Sequence, residues 1–532
     1  MNLDKDLESV QEARDLAKKA KEAQLEYKHF NQEQVDKIVK AMVDAGMANA
    51  ERLAKMANEE TGFGKWEDKV IKNQFATRDV YNSIKDLKTV GVIDVQSNGQ
   101  IVKIAEPMGV VAALIPSTNP TSTAMFKTII SLKCRNGIVC SPHPKAMRCT
   151  HEALDVMREA AEKAGAPKGL IQAMTKPSIE GTNALMSDES VGVILATGSN
   201  AMVKAAYSSG KPAYGVGAGN VPAFIERTAN VEKAVKDILY GTTFDNGTLC
   251  SSEQSMIVDR PLKDKAIEIA KANGGYFVSV DEKAKLAAAL KRGHGINPEV
   301  VGKSAEFIAE YAGFKVPQGT RVLLAECEVV GHEETLSIEK LSPVLAFYVV
   351  DGWLEGCHRC IELLKFGGIG HTMAIHSNEK DIIMKFALEK PAFRIVVNTP
   401  SSIGAVGYTT PLMPSLTLGP GTWGGSIISS NVSAMHLMNV KTLAFESNPV
   451  NSGSCTTSFD STPPKVYSSN QGSGSFMAQI EERLLARAGN LSSNTAASLS
   501  SSKNGTSAKS GGSFGSGISE ADIQKIIKEF NR

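Results

Sequence analysis

The stretch GVVAALIPSTNPTSTAMFKTIISLKCRNGIVC, residues 109–140, decides the fold. It opens on a continuous apolar run at 109–115, turns through Pro-Ser-Thr-Asn-Pro, and carries a helical segment over 122–134 before a second apolar run at 137–140. Short apolar runs joined by a helix-length segment predict buried parallel strands linked by a crossover helix. The alternation extends outward, with a helix predicted over 150–164, a strand over 191–195, and a second α/β block reaching about residue 430. The fold class is therefore α/β, built on parallel sheets with covered faces.

Upstream, residues 5–60 predict charged amphipathic helices, with Val10, Ala13, Leu16 and Ala17 recurring at helical spacing. Two short strands at 90–95 and 101–104, joined through Ser97-Asn98-Gly99, predict a hairpin. Residues 442–445 predict a last strand. Beyond it the composition changes: of the 28 residues from Asn490 to Gly517, 20 are Ser, Gly, Asn or Thr, the composition of a linker and not of a core. A short helical pattern at 477–488 interrupts this tail. The chain closes on a second one, in which Ser519 and Asp522 form a capping box, Ile518 and Ile523 a hydrophobic staple, and Ile523, Ile526, Ile527 and Phe530 line one face. So short a helix needs a surface on which to bury that stripe.

Composition narrows the class. With 532 residues and 42% hydrophobic content, the chain can bury a large core in two or three domains. The 58 basic against 57 acidic residues leave no broad basic field for nucleic acid. No apolar run approaches the ~18 residues of a membrane span. The charged opening Met1-Asn2-Leu3-Asp4-Lys5-Asp6 carries no secretory signal, and eight cysteines in such a chain are expected to be free thiols in a reducing cytoplasm. The CxxC at Cys357 and Cys360 lacks a second pair at zinc spacing and is read as structural, so no metal is expected.

Within this frame, Cys250 in Phe244-Asp245-Asn246-Gly247-Thr248-Leu249-Cys250-Ser251-Ser252-Glu253-Gln254 is the candidate nucleophile. A glycine three residues earlier lets backbone approach closely, and a thiol suits covalent attack on a carbonyl carbon. Asn119 could donate its amide to a developing oxyanion beside the Cys250 N–H, or could simply be a turn residue before Pro120. Thr197-Gly198-Ser199 closes a strand and opens a helix, which suits a phosphate or nicotinamide site and equally suits an ordinary strand–turn–helix. No GxGxxG follows any strand. Gly215-Val216-Gly217-Ala218-Gly219-Asn220 allows close backbone approach, and Glu339 could hold a ribose diol or be a solvated surface residue.

Taken in order, Pro-Ser-Thr-Asn-Pro, Ser-Pro-His-Pro-Lys, Ala-Thr-Gly-Ser, Gly-Val-Gly-Ala-Gly-Asn, Asn-Gly-Thr-Leu-Cys-Ser-Ser-Glu-Gln, Glu-Lys-Leu-Ser-Pro-Val-Leu and Gly370-His371-Thr372 form one set. The set resembles the CoA-acylating branch of the aldehyde dehydrogenase superfamily over about residues 5–447. The likeness extends to the aldehyde half of bifunctional aldehyde/alcohol dehydrogenases and to microcompartment acetaldehyde/propionaldehyde dehydrogenases. It implies an aldehyde dehydrogenase-like fold: a Rossmann-like NAD domain over 1–245, interrupted by an oligomerisation hairpin at about 90–106, then a catalytic domain over 246–430. An oligomerisation strand at 431–448, a flexible linker at 449–516 and a C-terminal targeting helix at 517–532 would follow.

By position, the resemblance implies Cys250 as nucleophile, Asn119 as the oxyanion amide, and His371 in a CoA, proton-transfer or packing role. It implies Ser117, Pro142, Lys145, Thr197, Gly198, Ser199, Gly215, Gly217 and Glu339 as cofactor contacts. Where hydrolytic relatives carry a general-base glutamate, this chain reads Gly215-Val216-Gly217-Ala218. The implied reaction is therefore oxidation of a short-chain aldehyde (acetaldehyde or propionaldehyde) to its acyl-CoA with NAD and CoA. Hydrolysis to the free acid is the alternative. The adenosine-ribose motif is replaced by Ser141-Pro142-His143-Pro144, with Lys145 as its candidate substitute, so NADP is not excluded. The tail resembles encapsulation peptides, which implies shell proteins of a bacterial microcompartment as partners of a homo-oligomer. A 449–517 linker would span roughly 45 Å as a random coil.

Overall fold

The computed structural model describes residues 4–459 apart from 294, 454 and 457. The 477–488 pattern and the terminal helix with Ile518, Ile523, Ile526, Ile527 and Phe530 lie outside the described residues.

The opening helices are Lys5–Tyr27, Gln32–Ala48 and Ala50–Thr61. Their buried faces fall at the expected spacing, with Ala13, Ala17, Ala20 and Tyr27 inward on the first. The stretch at 109–140 forms the strand Val110–Ile115, the helix Pro120–Lys133 and the strand Gly137–Pro142. Both strands and the helix are buried at every position, which is why the strands read as largely apolar runs and the helix shows no clear amphipathic period.

Five parallel strands form the first sheet, in the order Ile171–Ala173, Gly137–Pro142, Val110–Ile115, Val191–Thr197, Ala213–Val216. The chain first builds outward from Val110–Ile115 on one side and then returns to its other side. That reversal makes a switch point between Val110–Ile115 and Val191–Thr197, where α/β sheets open a crevice at their carboxyl ends.

The second sheet has seven parallel strands, ordered Gly275–Phe277, Val322–Glu326, Val344–Val350, Glu253–Asp259, Val221–Ile225, Met373–His376, Ile395–Val397. Strand Val221–Ile225 is an interior strand of it, so the chain passes from the first sheet to the second at 217–220. The helix Val231–Thr243 packs its apolar face on this second sheet.

The expected hairpin forms from Gly91–Gln96 and Ile101–Pro107, with Ser97, Asn98 and Gly99 all at positive φ. Met438–Ala444 pairs with its second strand and completes a three-stranded antiparallel sheet. The segment expected to be linker from 449 is partly docked on this arm, since the Phe459 N–H donates to the Gly99 carbonyl at 2.9 Å. Cys357 and Cys360 sit on the helix Gly352–Gly367 inside the second core. Among the described residues, no helix is long and apolar enough to cross a membrane.

Candidate active site

A cavity of about 790 Å³ opens where the carboxyl ends of the first sheet's strands meet loops that precede strands of the second. Asn119 comes from the loop after Val110–Ile115, and Thr197, Gly198 and Ser199 from the end of Val191–Thr197. Cys250 comes from the loop before Glu253–Asp259, and Glu339 from the loop before Val344–Val350. Ser117, Pro142 and Gly217 line the same cavity. Three of the sequence candidates do not. Lys145 is exposed at the rim turn, where its N–H donates to His143 Nδ1 at 3.1 Å. Gly215 lies in a strand, and a Cβ there would come within 2.5 Å of Tyr207 and Val203, so its smallness serves helix–strand packing. His371 is buried behind the wall, with Nδ1 2.9 Å from Thr372 Oγ1.

The nucleophile loop is held in an unusual backbone state. Asp245, Asn246 and Gly247 have φ of 48°, 51° and 72°. Two consecutive non-glycine residues in the left-handed region are costly and persist only where surrounding contacts fix them. Several contacts fix them here: Asp245 Oδ1 accepts the Lys65 N–H at 2.7 Å, and Asn246 Nδ2 donates to the Gly302 carbonyl at 3.0 Å. Asp245 Oδ2 accepts Thr248 Oγ1–H at 2.6 Å and the Lys69 ammonium at 2.9 Å, and Lys72 also donates to it.

Burial pushes the Cys250 thiol up to about 12; the Glu339 carboxylate adds to the rise and the Arg394 guanidinium opposes it. The resting sulfur is thus a protonated thiol. Arg394 is buried and donates to the His371 carbonyl at 2.7 Å, to Asn431 Oδ1 at 2.6 Å, to the Ser429 carbonyl at 3.2 Å and to the Gly419 carbonyl. Among the described residues it has no carboxylate partner, so its charge is uncompensated near the sulfur. Burial, with Arg394 adding, pulls His371 down to about 3, which keeps its imidazole neutral.

Glu339 Oε1 accepts the Gly219 N–H at 2.9 Å. Burial raises its carboxyl to about 8 against that hydrogen bond. It is the only carboxylate lining the cavity among the described residues. The side chain of Ser199 caps the helix Asn200–Ser208 by accepting the Met202 N–H at 3.3 Å, which presents that helix N-terminus to the cavity.

Lys69, Lys72, Asp245 and Arg394 escaped the sequence reading. The two lysines lie in Trp66–Gln74, WEDKVIKNQ, a short charged segment outside the motifs quoted above. Both are nearly fully buried. Their spacing of three residues, which puts them on one side of the helix, was the one available signal.

Residues 5–326 match the family model described as the aldehyde dehydrogenase family. The chain is 46% identical over 441 residues to the bifunctional aldehyde-alcohol dehydrogenase AdhE of Escherichia coli strain K12, covering 82% of this chain and 50% of that protein. It thus spans about half the length of the curated relatives it matches first. The crystal structure of an acetylating aldehyde dehydrogenase from Geobacillus thermoglucosidasius superposes with a TM-score of 0.83 at 49% identity, covering 85% of this chain and 100% of that one. The Rhodopseudomonas palustris propionaldehyde dehydrogenase, solved with bound CoA and an acylated cysteine, superposes with a TM-score of 0.73 at 30% identity, covering 81% and 96%. With a match over more than half its length and a cysteine, an amide and a carboxylate gathered at the junction of two parallel sheets, this chain belongs to the aldehyde dehydrogenase family.

Proposed function

We propose that the chain oxidises a short aliphatic aldehyde, acetaldehyde or propionaldehyde, and transfers the acyl group to CoA. The observation that carries this reading is that, among the described residues, no free carboxylate stands beside the nucleophile. The one carboxylate lining the cavity, Glu339, is tied to the Gly219 N–H, and the 217–219 loop near Cys250 offers backbone and no acid. A thioester formed there meets no group poised to activate water, so it survives until a thiolate arrives. The relatives named acetylating, and the one solved with CoA and an acylated cysteine, support the same reading.

The residues present fit a nicotinamide dinucleotide. The cavity follows the sheet's switch point, includes a helix N-terminus, and ends on Glu339 next to Cys250. Ser117, Pro142, Thr197, Gly198, Ser199 and Gly217 would hold it, with the Glu339 carboxylate accepting from a ribose diol. When bound it supplies the hydride acceptor. Among the described residues no carboxylate lines the end near Ser141, Pro142 and His143 to repel a 2′-phosphate, so NADP is admitted as well as NAD.

In the proposed sequence, the Cys250 thiol gives its proton to solvent, its sulfur bonds to the aldehyde carbon, and the carbonyl electron pair moves onto oxygen, leaving a tetrahedral oxyanion. The Asn119 amide and the Cys250 N–H stabilise that oxygen. Collapse of the oxyanion expels hydride and leaves a thioester on Cys250. The CoA thiolate then bonds to the acyl carbon and Cys250 departs as thiolate. Homo-oligomerisation through the 91–107 arm, and recruitment to a microcompartment shell by residues 517–532, belong to the same proposal; the second rests on the tail sequence alone.

NADH formation measured with and without CoA tests the reaction. CoA-dependent turnover, with an acyl adduct on Cys250 by intact mass and none in Cys250→Ala, is expected. Equal rates without CoA would replace it with hydrolysis to the free acid. For the tail, loss of shell co-purification with full activity after deletion of 517–532 is expected, and unchanged co-purification would reject targeting.

A further inference from the structure

Asn119 stands at the N-cap of the helix Pro120–Lys133, yet its side chain makes no capping hydrogen bond. An Asn in that place ordinarily accepts an N–H of the first turn. Here Oδ1 instead accepts the Lys72 ammonium, while Nδ2 donates to the Thr248 carbonyl at 3.2 Å and to Thr118 Oγ1 at 3.1 Å. We propose that Lys72 is a positioning residue for the oxyanion site: its ammonium, anchored on Asp245 of the nucleophile loop, fixes and polarises the Asn119 amide so that Nδ2 faces Cys250's loop. The inference rests on the reading of Asn119 as the oxyanion donor.

The donor chemistry leaves no second arrangement. An ammonium has three N–H groups and no acceptor, so it binds an amide only through its oxygen and thereby sets which end of Asn119 faces the loop. The three donors are accounted for by Asn119 Oδ1, Asp245 Oδ2 and Thr248 Oγ1, the last at 3.4 Å. A cation on the amide oxygen also withdraws density from the N–H groups and strengthens them as donors. Lys69 completes the anchor, donating to Asp245 Oδ2 and, at 3.2 Å, to the carbonyl of Thr118, the residue before Asn119.

Such a cluster is a poor device for stability alone. Both lysines and Asp245 are out of water, and a buried ion cluster often contributes less than apolar residues of the same volume. Its three charged members converge on the backbone five residues before the nucleophile, where the left-handed turn is held. Burial draws the Lys72 ammonium down to about 8 against the attraction of Asp245, and Lys69 and Asp68 also act on it.

The test is a double-mutant cycle in the full-length enzyme between Lys72→Met and Asn119→Ala, with Lys72→Gln as a second route should the Met variant not fold. Lys72→Met is expected to lower kcat by ~10-fold or more, a fraction of the ~10²–10³ assigned to a whole oxyanion donor, with aldehyde KM and NADH affinity within about twofold. Lys72→Gln, which keeps an N–H for Asn119 Oδ1, is expected to lose less. In the Asn119→Ala background either Lys72 change is expected to cost under about threefold, because the amide it positions is gone. Losses that multiply in the double variant, or a kcat for both Lys72 variants within about twofold of wild type, would overturn the inference. An Asn119→Ala enzyme with undiminished kcat would instead remove the oxyanion reading beneath it.

Discussion

Gly219 lies so near the nucleophile's backbone that a Cβ built on it would stand 2.1 Å from the Cys250 carbonyl oxygen and 3.2 Å from His371 Nδ1. The same residue donates its N–H to Glu339. One glycine therefore sets the distance between the cysteine loop, the buried histidine and the carboxylate at the cavity wall.

Gly219→Ala should displace the Cys250 backbone and lower kcat by about 10²-fold, the usual cost of misplacing a reacting group by about an ångström. Folding should survive, because the strain is confined to the loop. Thermal melting together with steady-state kinetics checks this; a variant with wild-type turnover would mean that the loop relaxes freely.

Asn119→Ala should reduce turnover by ~10²–10³ while leaving aldehyde KM little changed, since the amide acts on charge that develops only during attack. A fall below about tenfold in kcat would remove Asn119 from the oxyanion site.

Arg394 puts the only opposing charge on the Cys250 thiol, against burial and Glu339. Its removal in Arg394→Met should raise the thiol pKa further, so that alkylation of Cys250 at pH 8 slows by roughly threefold, the loss of thiolate being partly offset by its greater nucleophilicity. Arg394→Lys, which keeps the charge and loses the fork of carbonyl contacts, should fall between. Equal alkylation rates in all three proteins would show that the guanidinium serves only the carbonyls of His371, Gly419 and Ser429.

Glu253, which follows the cysteine loop, is fully buried with Oε1 2.5 Å from the Ser401 nitrogen and Oε2 without a partner. Burial raises its carboxyl from 4.5 to about 8. Because the folded-state value lies above the unfolded one, the stability it contributes is fully present below about pH 4.5 and is lost as pH rises through about 8. Glu253→Gln should therefore flatten the decline in melting temperature between about pH 4.5 and 8, read by calorimetry across that range. An identical decline in the variant would assign it to other groups.

The alternation at 109–140 was legible because buried parallel strands leave continuous apolar runs and crossover helices separate them by helix-length segments. Asn98-Gly99 marked the hairpin because a left-handed turn has few permitted residues, and the observed φ values of 53° and 87° are of that kind. The sheet boundary at 217–220 was hidden, since Val221–Ile225 is as apolar as any strand of the first sheet and periodicity carries no label for which sheet a strand joins.

The sequence by itself determined the parallel α/β architecture, the arm, and the residue types that can attack and stabilise a carbonyl. All of these are written in local pattern and short spacing. Only the tertiary fold brings Lys72 and Asp245, 173 residues apart, into a buried ion pair beside Asn119, and sets Arg394, with no carboxylate partner among the described residues, where its charge opposes the rise in the thiol pKa. A charged residue in a helix has the same letters whether water or protein surrounds it. Its electrostatic role is set by which groups the fold brings within a few ångströms and by how much solvent it removes from between them.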